Sequence, residues 1–431
     1  IADDVTGLIA RYPQLNAGNT LGSFSGRLSN SGERLVLTKR EFTTITNQLN
    51  QPEEVEIQIP VDEVTFVDGG RWGRWADNDG SSLELRDSRS DNRRPSNWAS
   101  SDETAKAPWV LIEHTGVLDH GQVGNGRTID ELQVMLLGAG ECLIDDIEVF
   151  RQGGGNLVPN GAFGAGNGGW IAQGNHVASG WNNTAGFGGA GSLHLRASGG
   201  GDNGANRLKI KFSESTSPGE IVTIRARARW LAGSTNLLLR LYGNYLEASG
   251  TLIAAATPGT PGQQNSVFAA NVGPALWDVT HDPVLPAAGQ PVVVTTRAFD
   301  PEGLNSLSLR YRLDPSATLA TVAMVDNGTS GDAIAGDGLY SATIPGQAAN
   351  TLVAFHVQAT DGLAAVTRFP DDAPTQEALV RFGETDPFGT FGTYRFWLTQ
   401  ANIDEWTNRE KLSNQRIDMT FAIGQHRVVY N

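Results

Sequence analysis

Apolar and polar residues alternate with a period of two over much of the chain, a pattern that predicts strands. From Val222 to Trp230 the apolar positions Val222, Ile224, Ala226, Ala228 and Trp230 alternate with Thr223, Arg225, Arg227 and Arg229, so one face packs and the other meets water. The run SLSLRYRLD sends Leu307, Leu309, Tyr311 and Leu313 one way and Ser306, Ser308, Arg310 and Arg312 the other. QPVVVTTRAFD and TLVAFHVQATD read as further strands between Gly, Pro and Asp turn signals. Helical spacing is scarce. Val5, Leu8, Ile9 and Tyr12 fit one short amphipathic helix that stops at Pro13, and Thr399 can cap a second that runs through Ile403 and Trp406 towards Leu412. The prediction is an all-β chain of several β-sandwich domains in tandem, with one or two short helices.

Length and turn composition divide that chain. Its 431 residues suggest about three domains. A break near Lys106 to Pro108, the Pro/Gly/Gln/Ser stretch ATPGTPGQQNS and the turn-rich ETDPFGTFG separate four pieces, 1–108, 109–265, 266–383 and 384–431. The final piece is too short to bury a core alone.

Charge and cysteine content narrow the function classes. The net charge is −15, and only five of the 32 basic residues are lysines (Lys39, Lys106, Lys209, Lys211 and Lys411). With no basic run, the chain would repel a phosphate backbone or an anionic lipid surface, which argues against nucleic-acid partners and membrane binding. No apolar stretch approaches the length of a spanning helix, which argues against membrane insertion. The single Cys142 lies in an apolar run and reads as a small buried hydrophobe. The chain opens on Ile1, so the expectation is a piece processed or excised from something longer. Glycine-rich, lysine-poor strand material suits a secreted or cell-surface location.

Several phrases resemble known families. GSFSGRLSNSGERLVL, VDEVTF and WADNDGSSLELRDSRSDNRRPSNWASS are similar to the C-terminal two-thirds of bacterial lamin-tail domains, which implies an immunoglobulin-type sandwich over 1–108 that lacks its first strand. IDDIEVF followed by NLVPNGAFGAGNGGW resembles the closing and then the opening strand of galactose-binding-like jelly rolls, implying one permuted module over 109–265. DPEGLNSLSLRYR and MVDNGTSGDAIAGDGLYSATIP resemble an immunoglobulin-like domain over 266–383. The last piece, from TYRFWLTQANIDEW onward, resembles the lead-in to a spore-coat CotH-type kinase domain, whose catalytic body would lie beyond Asn431.

Candidate chemistry is sparse. Seven histidines (His114, His120, His176, His194, His281, His356, His426) are scattered without metal or nucleophile spacing, and neither a P-loop nor a GxSxG motif occurs. No catalytic residues and no organic cofactor are therefore assigned. Asp326, Asp332 and Asp337 lie in a glycine-rich loop able to turn oxygens onto a hard cation, so structural Ca2+ is one reading and a hairpin shaped by Asp and Gly is the other. Asp77 and Asp79 repeat that arrangement on a smaller scale. The jelly-roll resemblance implies calcium at Asp145 or Asp146, against solvated carboxylates at a strand start. For sugar binding, Trp181 with Asn182 and Asn183 offers a ring beside hydrogen-bond formers, whereas Trp170 reads as core. Arg225, Arg227 and Arg229 could grip carboxylates or sulfates on a polysaccharide.

The reading from sequence is a non-catalytic extracellular module for surface adhesion or carbohydrate recognition, the accessory region of a CotH-kinase-like protein, with a polysaccharide or surface glycan as partner. Two alternatives stand: a structural spacer or self-assembling surface or filament subunit whose strand edges pair with other chains, and a fragment of an atypical kinase or hydrolase.

Overall fold

A computed structural model describes residues 2–22, 26–77, 79–119, 128–202, 204–244, 246–385 and 392–430. The protein is all-β, built of antiparallel sheets with two α-helices among the described residues. Helix α1 (Val5–Arg11) begins where the Asp4 carboxylate accepts the Gly7 N–H at 2.9 Å. It docks on the stretch after residue 255, with Arg11 Nε donating to the Ala256 carbonyl at 2.7 Å and the Tyr12 hydroxyl to that of Pro258 at 2.6 Å.

Residues 32–67 form a long two-stranded ribbon within the segment 1–108. Strands β1 (Gly32–Thr46) and β2 (Pro52–Val67) pair along their whole length, and among the described strands β3 (Leu83–Leu85) pairs only with β4 (Trp98–Ser100). Residues 71–108 are turn-rich and Arg/Asp-rich; Leu83 of β3 and Trp98 of β4 line one hollow with Leu35, Val64 and Phe66 of the ribbon, and Asn92 bonds Asp62, while Trp75 reaches Glu141 and Arg71 reaches Asp371 in the two domains that follow.

The first of these has two five-stranded sheets. Ten strands build it: β5 (Trp109–Val117), β6 (Ile129–Leu136), β7 (Gly140–Arg151), β8 (Ile171–Gln173), β9 (Gly180–Asn182), β10 (Ser192–Ala197), β11 (Arg207–Thr216), β12 (Ile221–Gly233), β13 (Asn236–Leu241) and β14 (Glu247–Thr251). The sheet orders are β5-β12-β7-β10-β9 and β14-β13-β6-β11-β8. Ile144, Leu193, Ile224 and Ala228 of one sheet meet Leu132, Val134, Leu208 and Leu239 of the other in one dry core. The alternation read along β12 holds, since Val222, Ile224, Ala226, Ala228 and Trp230 are all buried.

The second sandwich sets β15 (Ala275–Asp282), β16 (Val292–Phe299) and β19 (Leu339–Ile344) against β17 (Leu304–Leu313), β18 (Ala320–Ala323), β20 (Leu352–Asp361), β21 (Val366–Phe369) and β22 (Ala378–Arg381). Phe355, Leu309, Val292 and Val380 fill it. The apolar face of SLSLRYRLD fades along its length: Leu309 is buried, while Leu313 is exposed at the strand end.

Strands β23 (Tyr394–Trp397), β24 (Thr420–Ile423) and β25 (Arg427–Val429) close the chain with α2 (Gln400–Asn408), whose first turn is capped by Thr399 Oγ1 accepting the Asn402 N–H at 3.2 Å. This short sheet has no core of its own. Trp397 and Ala422 pack on Ala354 and Leu379 of the second sandwich, and Tyr430 inserts beside Phe355 and His281. Most of the turn-rich joint at 384–392 lies outside the described residues.

The Pro/Gly stretch expected to be a linker is pinned. Thr260 Oγ1 donates to Glu84 Oε1 at 2.6 Å, and both the N–H and the hydroxyl of Ser266 donate to Glu84 Oε2 at 2.7 Å. Glu103 accepts the Gly259 N–H at 2.8 Å, and Lys106 Nζ reaches the Gly259 carbonyl at 2.7 Å. The N-terminal segment thus straps the connection between the sandwiches, because buried carboxylates demand donors and the linker amides provide them.

Candidate functional site

The outward face of β12 carries the arginines. Their alternate neighbours are buried, so Arg225, Arg227 and Arg229 stand on the opposite side, and each guanidinium lies over a ring. Arg225 lies 5.1 Å from the Phe150 centroid, Arg227 4.5 Å from that of Phe187 and Arg229 4.9 Å from that of Trp109. Trp109 and Phe187 in turn meet edge to face at 5.9 Å. The result is a ladder of alternating cations and π-faces, each contact favoured by the ring quadrupole.

The three rungs differ in how far they are already satisfied. Arg225 is bonded to Glu148 and lies 3.8 Å from Glu113; the Glu148 hydrogen bond holds its pKa above the ordinary value. Arg229 runs beneath the strap, donates to the Thr104 carbonyl at 3.2 Å, and has its pKa pushed down by burial. Arg227 is different. Among the described residues its guanidinium has no hydrogen bond or ion pair, only the Phe187 ring, and both Phe187 and the cross-strand neighbour Leu111 are exposed. A planar fork of donors on an aromatic face can hold a hydroxyl-rich or anionic ring.

Phe187 is held in place by two residues that the sequence suggested for other work. Asp145 is buried; its Oδ2 accepts the Phe187 N–H at 2.8 Å and its Oδ1 accepts the Asp146 N–H at 2.8 Å. Burial pushes the Asp145 carboxyl upward despite those bonds. Asp146 sits at φ 47° in a bulge where β7 slips against β12, so the simple alternation of these two acids along a strand does not apply. Asn182 Oδ1 accepts the N–H groups of Thr184 and Ala185, both at 2.9 Å, and so folds the start of the same loop. Asn183 is exposed beside it.

Trp181 does not join this surface. It pairs directly with Leu193, which is wholly buried, so its side chain leaves the sheet on the sandwich side. There, at the edge strand, its Nε1 donates to the Phe163 carbonyl at 2.8 Å, and 42% of the residue is exposed. Trp170 is core, with Nε1 donating to the Asn160 carbonyl at 2.7 Å. The rings that do face the arginines were not singled out for it by sequence. Phe187 sits in the glycine-rich TAGFGGAG, and only the folding of that loop over β12 reveals its role.

Asp326, Asp332 and Asp337 bring one carboxylate oxygen each within 4.8 Å of one another, the one grouping of three or more metal-type side chains among the described residues. Backbone amides occupy much of their capacity. Asp326 accepts from Gly336 at 2.7 Å and Gly338 at 2.9 Å, Asp332 from Gly328 at 2.5 Å and Asp337 from Leu339 at 2.8 Å. These bonds shape the hairpin loop. Asp77 and Asp79 flank Asn78, which lies outside the described residues.

The described histidines are scattered: His114 and His426 are exposed, and the other four are buried or paired. His176, His281 and His356 are buried, and His194 Nε2 meets Glu141 at 2.7 Å, where Trp75 Nε1 also donates at 3.0 Å. His120 lies outside the described residues. Burial pushes the neighbouring Cys142 thiol far above its ordinary value, so it supplies no thiolate to this pair.

By fold the chain is an all-β protein of several sandwiches. No protein family matches it, and no curated protein matches it. Among solved structures, a DUF4785 family protein from Legionella pneumophila is similar at 9% identity over 75% of this chain and 74% of that one, with a TM-score of 0.17. Similarity at that level carries no argument about either protein.

Proposed function

We propose that this chain is a non-catalytic recognition module that binds carbohydrate at a cell surface through the arginine–aromatic ladder of its first sandwich. The observation that carries this reading is Arg227, a half-buried guanidinium over the exposed Phe187 ring with no hydrogen bond or ion pair among the described residues. Aromatic faces take the apolar side of a sugar ring, and the fork donates to hydroxyl or carboxylate oxygens. Asp145 and Asn182 position the loop that completes the surface and do not touch the ligand. The role as accessory region of a CotH-kinase-like protein rests on the resemblance of the last segment alone. On a glycan array, Arg227→Gln is expected to weaken saccharide binding about tenfold, the scale of one charge-assisted hydrogen bond, at unchanged melting temperature. Equal binding by the variant would remove the ladder from the account.

One observation favours a second reading, assembly. The β1–β2 ribbon has both edges unpaired among the described strands, and Leu37, Phe42 and Val61 are exposed on it. Such a ribbon is marginal alone and gains from pairing with a further strand. Sedimentation showing concentration-dependent oligomers that vanish when the ribbon is deleted would support assembly; a strict monomer at all concentrations would count against it.

A further inference from the structure

A second site lies where the strap meets the second sandwich. A cleft of about 350 Å³, within the range of small-ligand pockets, opens between residues 71–98 and the β21 region. Three arginines line it, Arg71, Arg86 and Arg368, against one acid, Asp371. Arg71 is spent: it is bonded to Asp371, donates to the Leu276 carbonyl at 3.2 Å and stacks over Phe369 at 5.4 Å. The other two are not. Arg86 has no side-chain hydrogen bond or ion pair among the described residues, and Arg368 reaches only the neutral Gln358 Oε1 at 3.1 Å. Two uncompensated guanidiniums thus share one cleft on a chain of net charge −15, a local inversion of sign that draws an anion.

The rest of the wall suits a sugar. Trp98 is held by its Nε1–H donating to the Asn92 carbonyl at 2.7 Å and by Trp72 at 6.1 Å, which fixes the ring as a platform. Gly273, also in the wall, lets two backbones close up, since a Cβ there would sit 2.8 Å from the Val366 carbonyl carbon. We infer that this cleft binds the carboxylate of an acidic saccharide, a uronate, between Arg86 and Arg368, with the sugar ring against Trp98. The inference rests on the carbohydrate reading above for the sugar, and on the unpaired arginines for the anion.

Calorimetric titration of the full chain with trigalacturonate, its methyl ester and inorganic sulfate tests it. Trigalacturonate is expected to bind at least tenfold tighter than the ester or sulfate and to weaken with added salt. That binding is expected to fall at least tenfold in Arg86→Gln, a substitution that breaks no side-chain hydrogen bond or ion pair among the described residues, and further in the Arg86→Gln, Arg368→Gln double variant. Equal affinity for the ester, sulfate as tight as trigalacturonate, binding unaffected in Arg86→Gln, or no binding of trigalacturonate would each overturn the site. If neutral saccharides still bind through Arg227 in that case, only this inference falls. If trigalacturonate binds here and Arg227→Gln alters no saccharide, the ladder reading falls instead.

Discussion

Acidifying the protein from pH 7 to pH 4.5 is expected to remove roughly 5 kcal/mol of stability and to lower the melting temperature by about ten degrees or more. The cause is three buried histidines. His176, His281 and His356 are each pushed down to about 4, first by burial, and for His356 also by Arg310 and Arg368. Both ring nitrogens of His176 are committed: Nδ1 meets Asn175 Oδ1 at 2.5 Å, and Nε2 accepts the Leu136 N–H at 3.1 Å, a bond that a second proton would abolish. His281 faces the Val284 carbonyl through Nε2 at 3.3 Å and the Tyr430 hydroxyl through Nδ1. An unfolded histidine takes up its proton near 6.5, so below that pH the unfolded chain binds more protons than the folded one. The contribution is complete above about 6.5, shrinks as pH falls, and is gone below about 4. Asp300 works in the opposite direction, because burial raises it to about 6 and the folded state gains a proton first. One such group offsets part of three. Urea midpoints between pH 7.5 and 4.5 should fall steadily; a flat profile would show that these imidazoles are not held neutral.

Removing the Glu84 carboxylate is expected to cost about 3 kcal/mol and to expose the connection between the sandwiches to proteases. The carboxylate is buried and accepts from Thr260, from both donors of Ser266 and from Val267, across 176 residues of chain in the case of Thr260. Burial pushes its pKa up, yet these hydrogen bonds outweigh it and hold the carboxyl below its ordinary 4.5. Its contribution is therefore present above 4.5 and lost as pH falls further. Glu84→Ala leaves the Ser266 and Val267 amides without their acceptor. Limited proteolysis should then cut within 256–268, which the intact strap protects, while chemical denaturation reports the energy. A loss under about 1 kcal/mol with an uncut connection would mean that the strap contributes little.

What the sequence made legible is what local pattern controls. The β12 alternation told which residues pack and which face water, because side-chain direction follows from strand geometry alone. Thr399 marks a helix start in the same local way. Strand partnership is another matter. VEIQIPVDEVTF alternates as a sandwich strand would, yet nothing in the phrase says which strand it pairs with, and among the described strands that partner is β1 alone. The ATPGTPGQQNS stretch has the composition of a flexible linker, and only the placement of Glu84 and Glu103 makes it rigid. The arginine ladder was half visible, with its cations in plain alternation and its rings scattered over Trp109, Phe150 and Phe187. The cleft was invisible, since Arg86 and Arg368 meet only after two domains and a strap have packed.

The most direct test of the central claim is to titrate the intact chain with a saccharide that it binds and then analyse that saccharide after prolonged incubation. Saturable binding with the sugar recovered intact, and no phosphate transferred when ATP is supplied, is the expected result. Cleaved or phosphorylated saccharide would contradict the account, as would the absence of any saturable binding.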